Sequence, residues 1–242
     1  MVNWSIQMVI YIKVNMKTVR NKVKAYDYGY PDSLAIQEHT RDYYSVITEL
    51  DGFLGKLFDY LEKQELMGNT YIFFMSDNGW MLGDHGFTSK VLPYNTSTNV
   101  PFWIVGHDIP TGSNSSLVSN LDILPTLLDL ANIPLPENLH GKSLKPILKD
   151  SIDRVRDFFV YEGIGSYGGS KKNLTVLKDG FRYIVTYEDD SLTKKIFTEL
   201  YHQKNDVAEM HNLIEDRDYE TLTMEMDDII TDYRKSILNE LH

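Results

Sequence analysis

The stretch Ser76-Asp77-Asn78-Gly79-Trp80-Met81-Leu82-Gly83-Asp84-His85-Gly86, followed by Lys90, is where side chains able to do chemistry crowd together in this chain. Asp77 and Asn78 place a carboxylate beside an amide oxygen, a pair of hard donors suited to calcium or magnesium, and a bound cation lowers the cost of holding a carboxylate there. The glycines let the following backbone bend sharply and bring His85 and Lys90 back toward the same place. A lysine ammonium could pair with a sulfate or phosphate oxygen, and a histidine could give a hydrogen bond or a proton to a departing oxygen. A plainer reading stands beside this one. Asp-Asn-Gly is a common turn, His85 and Lys90 could be solvated loop residues, and two ligands alone do not define a metal site.

Chemistry of this kind needs elements that aim it. The run Thr70 to Met75 is short, apolar and rich in aromatic and β-branched residues, as expected of a strand buried on both faces, and it delivers Asp77 and Asn78 to the end of a sheet, where α/β folds hold ligands. Pro101 to Val105 reads as a second buried strand. Before them, Tyr43, Val46, Ile47, Leu50, Phe53, Leu54, Leu57, Phe58 and Leu61 recur three and four apart and predict an amphipathic helix that stops at Gly68-Asn69. After them, Leu121 to Ala131 predicts a helix with Asn120 at its start and Pro125 in its first turns. These elements together predict a layered α/β domain. Beyond Asp150 the pattern changes: Leu174 to Leu177 and Arg182 to Tyr187 flank Lys178-Asp179-Gly180, a hairpin signal, and Tyr219 to Leu241 predicts a final helix packed across that hairpin. The expected organisation is an unassigned segment 1–35, an α/β part 36–150, and a small antiparallel subdomain with a C-terminal helix over 151–242.

The signature string resembles that of the sulfatases, in which a strand ends in Ser-Asp-Asn/His-Gly and Leu-Gly-Asp-His-Gly and a lysine follow. Tyr43-Tyr44-Ser45-Val46, Leu50-Asp51 and Gly55-Lys56-Leu57 resemble the family's preceding helix, and Val100-Pro101-Phe102 its next strand. Val118 to Leu128, Gly141-Lys142-Ser143-Leu144, Glu199-Leu200-Tyr201 and Glu209 to Leu213 continue the likeness in the same order, over about residues 36 to 241. The resemblance implies an alkaline-phosphatase-like layered α/β sheet and hydrolysis of sulfate esters with a divalent metal, calcium or magnesium. It also implies that Asp77 and Asn78 are metal ligands and that His85 and Lys90 are the catalytic residues facing the sulfate or its bridging oxygen. Asn at position 78 is similar to the sulfatase pattern, whereas His there is frequent in phosphonate and phosphodiester hydrolase relatives. Asp84 is expected to hold the loop through backbone amides, and Asp122 and Pro125 to start a helix.

Other family features are missing from the sequence. Sulfatases of this type carry an Asp-Asp strand with the remaining metal ligands and a Cys/Ser-x-Pro-x-Arg motif whose Cys or Ser becomes formylglycine, the nucleophile. This chain has no cysteine, and none of its eight prolines has Ser or Cys two residues before it. Asp189-Asp190 and Asp227-Asp228 fall after a hairpin strand and inside the last helix, and are expected to be solvated rather than replacements. The sequence is therefore expected to be the C-terminal part of a sulfatase, inactive by itself and completed by a missing N-terminal half; a non-catalytic module binding a sulfated ligand, or a phosphodiester or phosphonate monoester hydrolase relative, are the alternatives.

Composition bounds the rest. With 242 residues, 42% hydrophobic, the chain can bury a core, and a formal charge of -11 disfavours non-specific binding to nucleic acid or anionic membranes. The expected partner is a sulfated small molecule or glycan. The apolar stretch Ile6 to Ile12 is too short to span a bilayer and lacks the flanks of a secretory signal, so no span and no signal peptide are expected. Sulfatases are often periplasmic, secreted or lysosomal, and this sequence does not choose among those compartments.

Overall fold

The computed structural model describes residues 32–149, 152–164 and 170–240. The readings of the basic and apolar segment before residue 32, and of Leu241, lie outside the described residues. Helix α1, Ser33–Lys63, begins ten residues earlier than the apolar spacing predicts and reaches into the segment that had no assignment. Its first turns are polar and carry no periodic signal, but Asp32 caps them by accepting from the amide of Ala35 at 2.9 Å.

Strands β1, Ile72–Met75, and β4, Phe102–Val105, fall inside the two predicted runs and pair antiparallel in the register Phe74↔Trp103 and Met75↔Phe102. Among the described residues they form a two-stranded sheet. The indole of Trp103 stacks on Phe74 at 4.8 Å and meets Phe58 of α1 at 6.3 Å, so α1 covers that face. The expectation of strands buried on both faces is corrected here: the residues of β1 and β4 are only partly buried, except Val105, which is exposed. Hydrophobic run length signals a strand, but burial depends on what packs above, below and beside it.

Between these strands, β2 (Met81–Leu82) and β3 (Thr88–Ser89) form a short hairpin, followed by the one-turn helix α2, Asn95–Thr98. Helix α3, Ile123–Leu130, follows a 3-10 turn at Asn120–Asp122. The cap is Ser119 rather than Asn120: its hydroxyl accepts from the Leu121 amide, and Asp122 reaches back to the Ser119 amide in a capping box. Asp122 thus starts the helix as expected, and it also holds Arg156 through both carboxylate oxygens. A short helix α4, Lys145–Leu148, closes this part.

The remainder is a four-stranded antiparallel sheet in the order β5 (Phe158–Ile164), β6 (Lys172–Lys178), β7 (Phe181–Tyr187) and β8 (Lys195–His202), covered by helix α5, Glu220–Glu240. The predicted hairpin is β6–β7, and its turn residues Asp179 and Gly180 have φ of 49° and 80°, the left-handed pair that matches strand twist. Met226 and Ile230 of α5 pack on Leu174, Val176, Tyr183, Val185 and Leu200, so the final helix does lie across the hairpin. A second core joins Ile184 and Tyr201 of this sheet to Met81, Phe87, Leu92 and Tyr94 of the β2–β3 region. The antiparallel sheet is therefore the back wall of the signature loop. Among the described residues no helix is long and apolar enough to cross a membrane.

Candidate functional site

Asp77 and Asn78 leave the end of β1 together. Gly79 must be glycine for a packing reason, because a Cβ there would lie 2.0 Å from the carbonyl oxygen of Thr96 while its amide donates to the Ser97 carbonyl at 2.9 Å. The strand end is thus pinned against α2. Asp77 Oδ1 accepts from the Asn78 amide at 2.9 Å, and Asn120 Nδ2 donates to the Asp77 carbonyl at 3.4 Å. The β2–β3 hairpin then turns back through Gly83 and Gly86, both at positive φ, and Asp84 Oδ2 accepts from the Leu82 amide as expected. This return brings Lys90 Nζ to Asn78 Oδ1 at 2.8 Å.

Asp77, Asn78 and Lys90 line one cavity of about 1020 Å³, between the ends of β1 and β4 and the antiparallel sheet. Its wall turns apolar at Met75, Phe102 and Ile123 and polar at Asn95 and Asn99. His85 is not brought to this cavity. Its ring is buried, stacked on Tyr94 at 4.0 Å with an 18° interplanar angle, and its Nδ1 makes no hydrogen bond among the described residues. Burial pushes its pKa down to about 4, with the carboxylate of Asp206 opposing, so the imidazole is neutral at pH 7.

Asp77 and Asn78 offer oxygen donors that fit a hard cation, but they supply two of the six to eight oxygens calcium takes. Among the described residues no group of three or more acidic or histidine side chains converges to hold a metal. Of the acidic pairs, Asp227 is not simply solvated: it accepts from the Tyr183 hydroxyl at 3.0 Å and pairs with Lys195. The residues that the sequence did not single out are those of the site's back wall. Arg182, buried on β7, pairs with Glu209 at 2.6 Å and donates to the Pro93 carbonyl and the Thr98 hydroxyl, and Glu209 also accepts from the Asn95 amide. A buried arginine inside an apolar strand run was the available signal, since such a charge needs a partner.

The chain matches the family model Sulfatase over residues 13–133 and the model N-sulphoglucosamine sulphohydrolase, C-terminal, over residues 83–236. It is 30% identical to the N-acetylglucosamine-6-O-sulfatase of Bacteroides thetaiotaomicron over 206 residues, 82% of this chain and 36% of that protein. It is also 30% identical to an arylsulfatase of Clostridium perfringens, covering 79% of this chain and 39% of the relative. Among solved structures, BT4656 in complex with its substrate D-glucosamine-2-N,6-O-disulfate aligns with TM-score 0.75 and 29% identity over 84% of this chain and 42% of that one. The phosphonate monoester hydrolase of Agrobacterium radiobacter aligns with TM-score 0.66 and 25% identity over 80% of this chain and 40% of that one. The chain spans well under half the length of these relatives. With two family models covering most of the sequence and the signature string at the end of β1, the chain belongs to the sulfatase family of the alkaline phosphatase superfamily.

Proposed function

We propose that this chain supplies the metal- and anion-holding side of a sulfatase active site, which hydrolyses sulfate esters once a formylglycine-bearing part of the α/β domain completes it. The observation that carries this reading is the convergence of Asp77, Asn78 and Lys90 on one cavity at the end of β1. In it, Asp77 and Asn78 hold calcium or magnesium, which would polarise the ester and its nucleophile. Lys90 stands 2.8 Å from Asn78 Oδ1, where its ammonium can pair with a sulfate oxygen and offset the charge that grows as the ester bond breaks. The formylglycine nucleophile does not fit this sequence, so no nucleophilic step belongs to its own residues. The imidazole of His85, buried against Tyr94 and neutral at pH 7, is not among the residues that line the cavity, and in this reading it serves the site through the hairpin it sits in.

The substrate proposed is a sulfated sugar or a related small ester, in keeping with the sulfated glucosamine held by the structural relative. The test is aryl sulfate hydrolysis with calcium, comparing this chain alone with this chain co-expressed beside the N-terminal part of a sulfatase under formylglycine-generating conditions. Activity only in the pair, abolished by Asp77→Ala and by Lys90→Met, is the expected result; turnover that survives both substitutions would overturn it. The likeness to a phosphonate monoester hydrolase favours one second reading, cleavage of phosphonate or phosphodiester substrates by the completed site. Higher turnover of a phosphonate ester than of the aryl sulfate would establish it, and Asn78 argues for sulfate.

A further inference from the structure

The hairpin that carries Lys90 is held from behind by a chain of contacts that none of the site chemistry uses. Glu199, on β8, is fully buried. Its Oε1 accepts from the Tyr94 hydroxyl at 3.0 Å and from the Tyr201 hydroxyl at 2.7 Å, while its Oε2 makes no hydrogen bond among the described residues. The Tyr94 ring, fully buried, lies 4.0 Å from the His85 imidazole and nearly parallel to it. His85 sits at the tip of the hairpin with φ of 52°, and Lys90 directly follows the second strand of the same hairpin. A strand more than 100 residues away in sequence is thus linked through two side chains to the loop that presents the ammonium.

Simple packing does not require this arrangement. A carboxylate taken out of water costs several kcal/mol unless fully satisfied, and well-packed apolar side chains would fill the same volume at lower cost. What a carboxylate adds is position, since two hydroxyls converging on one oxygen fix where both phenol oxygens stand. The Tyr94 ring so placed lies within 18° of the plane of His85.

We infer that Glu199 and Tyr94 are positioning residues for the signature hairpin, acting through the stacked His85 to set where Lys90 stands in the cavity. The consequence for anion binding rests on the role proposed above for Lys90; the linkage itself does not. Burial pushes the Glu199 carboxyl up to about 7, against the hydrogen bonds of Tyr201 and Tyr94, which favour the charged form. Glu209, held by Arg182, adds like charge nearby, and Asp206 faces His85, Tyr201 and Glu209. Ionised Glu199 grips both hydroxyls more strongly than the protonated acid does, so the hold on the hairpin tightens as pH rises through neutrality.

The experiment is an NMR titration of the His85 ring protons in the full chain, assigned with His85→Gln, run alongside calorimetric titration with inorganic sulfate. In the native sequence the His85 signals should move near pH 7, well above the ring's own titration near 4, reporting Glu199. Tyr94→Phe keeps the stack and breaks the link, and Glu199→Gln keeps the acceptor and removes the titration; both should abolish the movement near pH 7. Tyr94→Phe should also weaken Lys90-dependent sulfate binding about fivefold, the equivalent of one hydrogen bond, while Lys90→Met removes binding and keeps the His85 movement near pH 7. If the His85 signals are flat near pH 7, or still shift in both folded variants, Glu199 and Tyr94 are core residues and the inference fails. Absence of sulfate binding in the native chain would instead overturn the role of Lys90, with the His85 signals still deciding the linkage.

Discussion

Asp122 illustrates what one residue can and cannot announce. Its place before an apolar run marks it as a helix starter, and it is one, but its fully buried carboxylate also grips Arg156, 34 residues later, at 2.5 and 2.7 Å. Local spacing reveals a cap; a long-range ion pair has no period to be read. Removing the carboxylate leaves a nearly buried guanidinium without its counter-ion, so Asp122→Ala should lower unfolding free energy by about 3–5 kcal/mol in urea titrations. That Asp77, Asn78 and Lys90 come together was legible because they follow a strand and a glycine turn in sequence. The position of His85 was not, because burial is decided by Tyr94 and the sheet behind it.

The buried His85 and Glu199 give opposite pH dependences. His85 keeps its proton off down to about 4 when folded, while an unfolded histidine takes one up near 6.5, so its burial lowers stability as pH falls through that window. Glu199 keeps its proton on up to about 7 when folded, while an unfolded glutamate loses it near 4.5, so its burial lowers stability as pH rises. Each effect amounts to about 3 kcal/mol over its window and they largely cancel between the two limits. Glu199→Gln should therefore become more stable with rising pH between 4.5 and 6.5, and His85→Gln less stable, by thermal unfolding across that range. Parallel curves for both variants and the native chain would refute the assignment.

At the scale of elements, the β6–β7 turn was the most readable part of the fold. Asp179 and Gly180 both need positive φ, and Asp-Gly is the dipeptide that tolerates it at least cost. A Cβ on Gly180 would meet nothing within 4 Å, so the penalty of Gly180→Ala is backbone strain alone, and about 1 kcal/mol of destabilisation is expected with the register unchanged. Strands β5 and β8 carried weaker signals. In β8 the buried Glu199 breaks the apolar alternation that would have marked it, so the residue that holds the hairpin also hides the strand. Helix α1 was legible from Tyr43 onward because its stripe is periodic, and silent before that because capping and propensity, not burial, build its first turns.

Across the whole molecule, apolar burial is unevenly shared. Both buried cores involve the antiparallel sheet, one under α5 and one behind the signature hairpin. Helix α1 has no buried residue, and Val46, Ile47, Leu50, Phe53 and Leu57 all lie at least 43% exposed along the apolar stripe by which the sequence marked the helix. Leu121, Leu124 and Leu127 around α3 are similarly exposed, and the β1–β4 ribbon has unpaired outer edges among the described residues. An amphipathic stripe of this length and free strand edges favour association with another apolar surface. Hydrogen exchange on the isolated chain should accordingly find slow amides in β6, β7 and β8 and faster exchange along α1, since local opening is cheapest where few apolar contacts are lost. If the remainder of a sulfatase α/β domain packs on this face, co-expression should slow α1 exchange without altering β7. Phe53→Glu, which charges the stripe and leaves both buried cores intact, should prevent that slowing while preserving the thermal transition of the sheet. Protection of α1 in the isolated monomer equal to that of β7 would mean that the stripe is already covered, and that the domain needs no second surface to close.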